Sequence, residues 1–166
     1  SPMADVILRH LLADAGIDDV EVSSSGMGGW HVGEGADPRT VSTLARHGYD
    51  GARHIASQFN PRDFERYDLV LAADRGHQRA LHRAARTDAD RAKVRLLREF
   101  DPAAVAAGTL EVDDPWYGVT ADFERCLREV EAACRGLIET LQALDHADGT
   151  ADRPAADRTD ATKDES

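Results

Sequence analysis

The sequence predicts an α/β fold in which helices flank a parallel β-sheet. Over the first two thirds of the chain, apolar segments of strand length alternate with amphipathic segments of helix length, the order typical of parallel sheets. One strand-length segment, 67–73, is an apolar run rather than an alternating one, as expected of a strand buried on both faces. The segment from Thr120 to Leu144 has the apolar stripe of a long helix that packs on such a sheet.

Helices are predicted from their start and stop signals. Ser1 is a favoured N-cap and Pro2 a favoured first helical residue, and Gly16 ends the apolar face that follows. Asp37-Pro38 opens a second helix in the same way. The predicted helical segments are 1–16, 37–48, 61–66, 77–85 and 120–144.

Three strands are predicted before the last helix. Residues 20–25 alternate between apolar and polar side chains until several glycines interrupt them. Residues 67–73 form the apolar run, and residues 93–100 form the third strand. Three strands make a thin sheet for two layers of helices, which leads us to expect that a further strand belongs upstream of Ser1.

Size and composition indicate one folded domain followed by a tail. The 166 residues suffice for one core, and we place its end at 145. From 146 to 166 the chain is rich in Asp, Ala, Thr and Arg and holds no large apolar residue, which predicts a disordered acidic tail.

The charge and the apolar pattern limit the classes of partner. A formal net charge of -11 argues against nucleic acid, because phosphate backbones require clustered Lys and Arg. No apolar run is long enough to span a membrane. We expect no nucleic-acid partner, no membrane association and a monomer.

The two cysteines, Cys126 and Cys134, are not candidates for a nucleophile or a cofactor site. They lie on the predicted last helix, too far apart to bridge each other. Neither is followed by an arginine at Cys-x5-Arg spacing. No Cys and His spacing fits a metal site, so we expect no cofactor, and so few cysteines suggest a reducing compartment.

Three colinear segments carry a resemblance to a known family. They are Ser-Pro-Met-Ala at 1–4; Ser25-Gly26 with Gly-Trp-His-Val-Gly at 29–33 and Asp-Pro-Arg at 37–39; and Asp-Pro-Trp-Tyr-Gly at 114–118 with Asp-Phe-Glu at 122–124. In this order they resemble the bacterial low-molecular-weight protein tyrosine phosphatases. In that family a Cys-x5-Arg loop directly precedes the Ser-Pro segment, so the resemblance implies a chain truncated before Ser1.

The resemblance implies a three-layer fold with a four-stranded parallel sheet in the order 2-1-3-4. Strand 1 and the Cys-x5-Arg loop would both be absent from this chain. Residues 1–145 would then form a phosphatase-like domain that is incomplete at its N-terminus. The resemblance departs from the family pattern at Trp116, where a tyrosine is usual, and at Ser57, where many members have arginine.

The resemblance also implies roles for individual residues. Asp114 would be the general acid and base that protonates the leaving phenolate and then activates water; Asp113 is the competing carboxylate. Trp116 and Tyr117 would pack on the substrate ring, and Trp30 would form the opposite wall.

Three further residues are supporting candidates. The Ser1 hydroxyl would help stabilise the thiolate of the missing cysteine, and His54 would join a hydrogen-bond network that braces the phosphate loop. Asp74 ends a buried strand at its carboxyl end, where sites of such sheets lie. Helix capping is an equally good explanation of Asp74.

The predicted function is hydrolysis of phosphotyrosine in proteins through a cysteinyl-phosphate intermediate, in a cytoplasmic enzyme whose secretion is left open. The chain as written lacks the nucleophile and is predicted to be inactive. The alternatives are a non-catalytic phosphatase-like binding module, or an arsenate reductase or protein arginine phosphatase of the same fold.

Overall fold

The computed structural model describes residues 2–27 and 33–151. Its elements alternate along the chain as an α/β fold, with two short 3₁₀ turns at Leu97–Phe100 and Pro115–Tyr117. The helices and strands are α1 (Pro2–Asp14), α2 (Pro38–Arg46), α3 (Asp63–Arg66), β1 (Val70–Ala72), α4 (Arg75–Ala84), α5 (Asp88–Ala92), β2 (Val94–Leu96), α6 (Pro102–Ala107) and α7 (Thr120–Ala151).

The sheet of the described residues consists of two parallel strands. Val70 of β1 pairs with Val94 of β2, and the register continues to Ala72 and Leu96. Helices α4 and α5 form the crossover between the strands, the connection that parallel pairing requires. The parallel pairing confirms the α/β class, whereas the four-stranded order stays a prediction.

The predicted strand at 20–25 is wrong for this structure. Its backbone joins no ladder; the Val22 carbonyl instead accepts a hydrogen bond from the Arg9 side chain. A strand needs a neighbour for its backbone groups, and near this segment the described residues provide only an isolated bridge between Gly26 and Gln58. The alternating segment therefore forms no strand among the described residues.

The other two predicted strands are present, but each is shorter than predicted. β1 covers only part of 67–73. β2 ends at Leu96, and the rest of the predicted strand, Leu97–Phe100, forms a 3₁₀ turn. Glu99 ends the strand, because its carboxylate accepts a hydrogen bond from the Leu96 backbone N–H at 3.2 Å and turns the chain.

The predicted helices are all present, and two short ones are additional. Asp37 caps α2 by accepting from the Arg39 backbone N–H, as the Asp-Pro signal predicts. Asp101 caps α6 in the same manner through the Ala103 N–H. α5 begins after Thr87, whose side chain accepts from the Asp90 N–H.

The main core lies between α1, α2 and α7. Ile7, Leu44 and Val130 are its buried centre, one from each helix. α7 also approaches the 3₁₀ turn after β2 so closely that a Cβ on Gly136 would lie 1.7 Å from the Phe100 carbonyl oxygen. A second, smaller cluster around Phe64 and Leu96 packs α3 and α4 against the sheet.

α7 continues to Ala151, past the domain end that we placed at 145. No proline interrupts the helix before Pro154. The rest of the predicted tail lies outside the described residues, so the domain boundary stays a prediction. None of the helices described is long and apolar enough to cross a membrane.

Candidate active site

The loop that carries Asp114 is tied to the carboxyl end of β1. The Val112 backbone N–H donates to the Ala73 carbonyl at 2.8 Å. The preceding Glu111 carboxylate accepts from the backbone N–H of Arg75, the first residue of α4, at 2.9 Å. Asp114 therefore lies at the edge of the sheet where ligands of parallel α/β folds bind.

Asp114 is exposed and is oriented by its own turn. Its Oδ1 accepts from the Trp116 backbone N–H at 3.0 Å and so caps the turn Pro115–Tyr117. This bond uses one carboxylate oxygen, and no described residue hydrogen-bonds to the other. Asp113 is exposed as well and has no such orienting bond among the described contacts. The geometry thus distinguishes the two neighbouring carboxylates.

Trp116 and Tyr117 present aromatic surface beside Asp114. The side chain of Trp116 is 47% exposed and that of Tyr117 is 97% exposed. Exposed aromatic rings of this size are uncommon away from binding surfaces, because their burial is strongly favourable. The pair can therefore cover an aryl group placed next to the Asp114 carboxylate.

Arg39 connects this turn to α2. Its Nη2 donates to the Trp116 carbonyl at 2.9 Å, and its guanidinium lies 5.7 Å from the centroid of the Trp116 ring and 4.7 Å from that of Phe123. Asp37 also accepts from the guanidinium, from Nη2 at 3.0 Å and from Nε at 3.2 Å. The hydrogen bond from Arg39 holds the pKa of Asp37 below its usual value, against the opposing effect of burial.

Position 118 requires glycine because a larger side chain would clash with Asp122, and not because of its backbone conformation. Its φ of -94° is open to any residue. A Cβ there would lie 2.4 Å from Oδ2 of Asp122, which accepts from the Val119 N–H at the start of α7. The aromatic turn is therefore packed directly on the capping residue of α7.

His54 is buried in a polar cluster with Asp5 and Ser24. The Ser24 hydroxyl lies 2.6 Å from Nε2 of His54 and donates to Asp5 Oδ2 at 3.1 Å. Burial lowers the pKa of His54, and the Asp5 carboxylate partly opposes this shift. Both oxygen groups face the same ring nitrogen, so the cluster is not a Ser-His-Asp triad, in which the carboxylate holds Nδ1.

His54 Nδ1 is buried and has no hydrogen-bond partner among the described residues. Buried polar atoms are rarely left without a partner. Ser24 and Asp5 therefore hold the Nε2 side of the His54 ring, and Nδ1 is available to bond a further group.

The remaining predicted site residues are not brought together. Asp74 caps α4, accepting from the His77 backbone N–H at 2.8 Å, so the capping explanation accounts for its carboxylate. Ser1 and Trp30 lie outside the described residues. The described part of the chain contains no group of three side chains able to hold a metal ion.

Both cysteine thiols are free and buried. Burial raises the pKa of Cys126 to about 11 and that of Cys134 to about 12, with smaller contributions from nearby carboxylates. Nucleophilic cysteines need the opposite shift, because the thiolate is the reactive form.

Sequence reasoning assigned no role to Arg39, Ser24, Asp5 or Glu111. Arg39 was visible only as the third residue of the Asp-Pro-Arg segment, where the helix signal drew attention to the first two. Ser24 and Asp5 lie far from His54 in the chain, and no local pattern joins them.

Comparisons with known proteins agree on one family. A family profile described as low molecular weight phosphotyrosine protein phosphatase matches residues 1–147. A low molecular weight protein-tyrosine-phosphatase of Streptomyces coelicolor is 55% identical over 143 residues, covering 86% of each chain. Protein-tyrosine phosphatase A of Mycobacterium tuberculosis is 40% identical over 138 residues, covering 82% of this chain and 81% of its own.

Solved structures agree as well. A protein tyrosine phosphatase from Entamoeba histolytica, with Hepes in its active site, superposes with a TM-score of 0.80 at 25% identity, over 87% of this chain and 90% of that one. YfkJ from Bacillus subtilis gives a TM-score of 0.78 at 27% identity, over 87% of each chain.

Proposed function

The chain belongs to the low-molecular-weight phosphotyrosine protein phosphatase family, and on that premise we propose that it forms the acid-bearing part of an enzyme that hydrolyses phosphotyrosine in proteins. A Cys-x5-Arg loop preceding these residues would supply the thiolate that attacks phosphorus, giving a cysteinyl-phosphate intermediate. The loop N–H groups and the arginine would hold the equatorial oxygens.

The observation that supports this proposal is the orientation of Asp114. Its carboxylate is exposed, hydrogen-bonded to described residues through one oxygen only, and placed beside two exposed aromatic residues. A carboxylic acid in that position can protonate a phenolate that leaves while its ring rests on Trp116 or Tyr117. As a carboxylate, Asp114 then activates the water that hydrolyses the cysteinyl-phosphate intermediate.

The preformed cluster around His54 would support the phosphate loop. The unpartnered Nδ1 of His54 offers one hydrogen bond to a loop backbone group or side chain. The proposed role of Ser1, a hydroxyl donor to the thiolate, concerns a residue outside the described ones and rests on the family resemblance. The same holds for Trp30 as the opposite aromatic wall.

We propose that a further strand lies beside β1, which the order 2-1-3-4 would place between β1 and residues 20–25. Residues 20–25 form no strand in the described structure and would pair only with that added strand. β2 occupies only one edge of β1, and Leu71 directs its N–H and carbonyl to the other edge, where no described backbone group bonds to them. Unpaired backbone groups at a strand edge favour the addition of a further strand.

The chain as written is proposed to be inactive. Its two thiols are buried, their pKa values are raised, and neither begins a Cys-x5-Arg sequence. We further propose a monomeric, cytoplasmic protein that binds phosphoproteins rather than nucleic acid or membranes, in keeping with its net charge of -11. The aromatic pair beside Asp114 favours an aryl phosphate over arsenate or phosphoarginine.

The test uses the 166-residue chain and the same chain with an N-terminal extension that carries an apolar strand and a Cys-x5-Arg loop. We expect turnover of phenyl phosphate only with the extension. Asp114→Ala in the extended protein should lower kcat about 10²- to 10⁴-fold. The loss should be smaller for p-nitrophenyl phosphate, whose leaving group is less basic and needs less protonation.

Asp113→Ala is the matched control, because it removes the adjacent carboxylate, which has no orienting hydrogen bond among the described contacts. A larger loss from Asp113→Ala than from Asp114→Ala would transfer the acid role to Asp113. Turnover by the 166-residue chain that Asp114→Ala abolishes would refute the proposed inactivity. Faster reduction of arsenate than hydrolysis of phenyl phosphate would favour the arsenate reductase alternative.

A further inference from the structure

Helix α4 is the most basic element of an acidic protein. Its sequence contains three arginines and two histidines but no Asp or Glu, although the chain as a whole carries 31 acidic residues against 20 basic ones. Arg75, Arg79 and Arg83 recur at intervals of four residues, so they lie along one face of the helix. All three are exposed, whereas Leu81 is buried on the opposite side.

This set of three side chains, the α4 arginine face, makes no ion pair with any described residue. Many described arginines outside α4 are paired with carboxylates, for example Arg46 with Glu124 at 2.8 Å and Arg91 with Asp88 at 2.6 Å. Those outside α4 without an ion pair among the described contacts, such as Arg53 and Arg128, do not recur along one helix face. The nearest acidic groups at the start of α4 are engaged with backbone: Asp74 accepts from the His77 N–H, and Glu111 accepts from the Arg75 N–H.

Two features of the α4 arginine face oppose helix stability. Like charges four residues apart on a helix destabilise it, and Arg75 places positive charge at the positive end of the helix dipole, although Arg83 in the last turn is favourable to that dipole. Burial of Leu81 and capping by Asp74 hold α4 in place without these arginines. Among the described residues, therefore, no carboxylate accounts for the three arginines in register, whereas an external anionic partner would.

The position of the face indicates where that partner lies. α4 begins directly after the carboxyl end of β1, and Arg75 is tied through its N–H to Glu111 in the loop that leads to Asp114. The face extends about 12 Å away from that edge, at 1.5 Å per helical residue. An extended peptide spans this length with about four residues.

We propose that the α4 arginine face binds an acidic polypeptide segment that accompanies the phosphotyrosine of a protein substrate. The placement beside a phosphotyrosine rests on the proposed function; the binding of acidic peptide does not. Arg guanidinium groups pair with the carboxylates of Asp and Glu. A protein with a net charge of -11 repels acidic segments except at such a patch.

The experiment measures anisotropy of a fluorescein-labelled, unphosphorylated peptide of alternating Glu and Ser, titrated with the 166-residue chain at low salt. Arg75→Gln/Arg79→Gln/Arg83→Gln should weaken binding about tenfold, as expected for the loss of three exposed ion pairs. The triple Lys variant keeps the charges and should retain most of the affinity. Far-UV circular dichroism checks each variant, and removal of like charges should not unfold α4.

The matched control is Arg53→Gln/Arg62→Gln/Arg128→Gln, which removes the same charge from exposed arginines outside α4 that have no ion pair among the described contacts. Its affinity should match that of the parent chain. Equal weakening in both triple variants, or no binding by the parent chain, would overturn the proposal. Tighter binding of a DNA duplex than of the acidic peptide would also overturn it.

The peptide carries no phosphate, so this result is independent of phosphoryl transfer. Failure of the peptide to bind would leave the Asp114 experiment unaffected. Loss of the acid role of Asp114 would leave peptide binding to α4 intact.

Discussion

Two regions of the molecule are held by different interactions: the helical frame of α1, α2 and α7 by apolar packing, and the turn that carries Asp114 by hydrogen bonds. In the frame, side chains such as Ile7 and Cys134 are fully buried and the helices touch at close range. In the turn, Asp114 and Tyr117 are exposed, and a few hydrogen bonds set their positions. Stability therefore resides mainly in the frame, and the candidate chemistry in the turn, so substitutions should separate the two properties.

The largest effect on stability should come from Gly136→Ala in α7. A Cβ there would overlap the Phe100 carbonyl, which is backbone and cannot rotate away. Overpacking of this kind costs about 1–3 kcal/mol or more, which exceeds the gain of up to about 1 kcal/mol from replacing a helical glycine. Urea unfolding measures the loss. Glu139→Ala, at an exposed position of α7, is the control, and an equal midpoint for the two variants would show that the close approach is unimportant.

Arg39→Gln should change the turn more than the frame. It removes the hydrogen bond to the Trp116 carbonyl and the contact with the Trp116 ring, while exposed pairs of this kind contribute only about 0–1 kcal/mol to stability. In a Trp30→Phe background, acrylamide should quench Trp116 fluorescence more strongly in the variant. Arg46→Gln, which loses a pair with Glu124 in the frame, should leave quenching unchanged. Equal quenching in both variants would mean that Arg39 does not hold the turn.

The smallest effect should be the dependence of stability on pH through His54. Burial lowers its pKa in the folded state, so the unfolded chain binds the proton more readily. This contribution to the free energy of unfolding is complete above the unfolded pKa of about 6.5 and is lost as pH falls toward the folded pKa. Thermal midpoints between pH 7 and 5 should fall less in His54→Asn than in the parent. His77→Gln, at an exposed histidine, should follow the parent, and an unchanged slope in His54→Asn would contradict the prediction.

The sequence allowed prediction of those features that depend on neighbouring residues. Asp37-Pro38 predicted the start of a helix, because caps act over two or three residues. Asp101-Pro102 carries the same signal and could have predicted α6. Asp114 was selected by the resemblance of its local segment to the family, and its role as the acid stays a prediction.

Features that depend on distant partners could not be predicted. The segment 20–25 has the alternation of a strand, but a strand also needs a neighbouring strand to pair with. Here the Arg9 side chain donates to the Val22 carbonyl instead. The cluster of His54, Ser24 and Asp5 unites three separate segments. The role of Arg39 likewise became visible only when the fold brought α2 against the turn at Pro115–Tyr117.

The anchoring of the Asp114 loop at both ends restricts how it can vary in evolution. Val112 fixes one end to β1, and Asp122 fixes the other at the start of α7. A loop held in this way has a set length, because an inserted residue would have to bulge outward and displace either the carboxylate or the aromatic pair. Diversity among relatives should therefore arise here by exchange of side chains and only rarely by insertion or deletion.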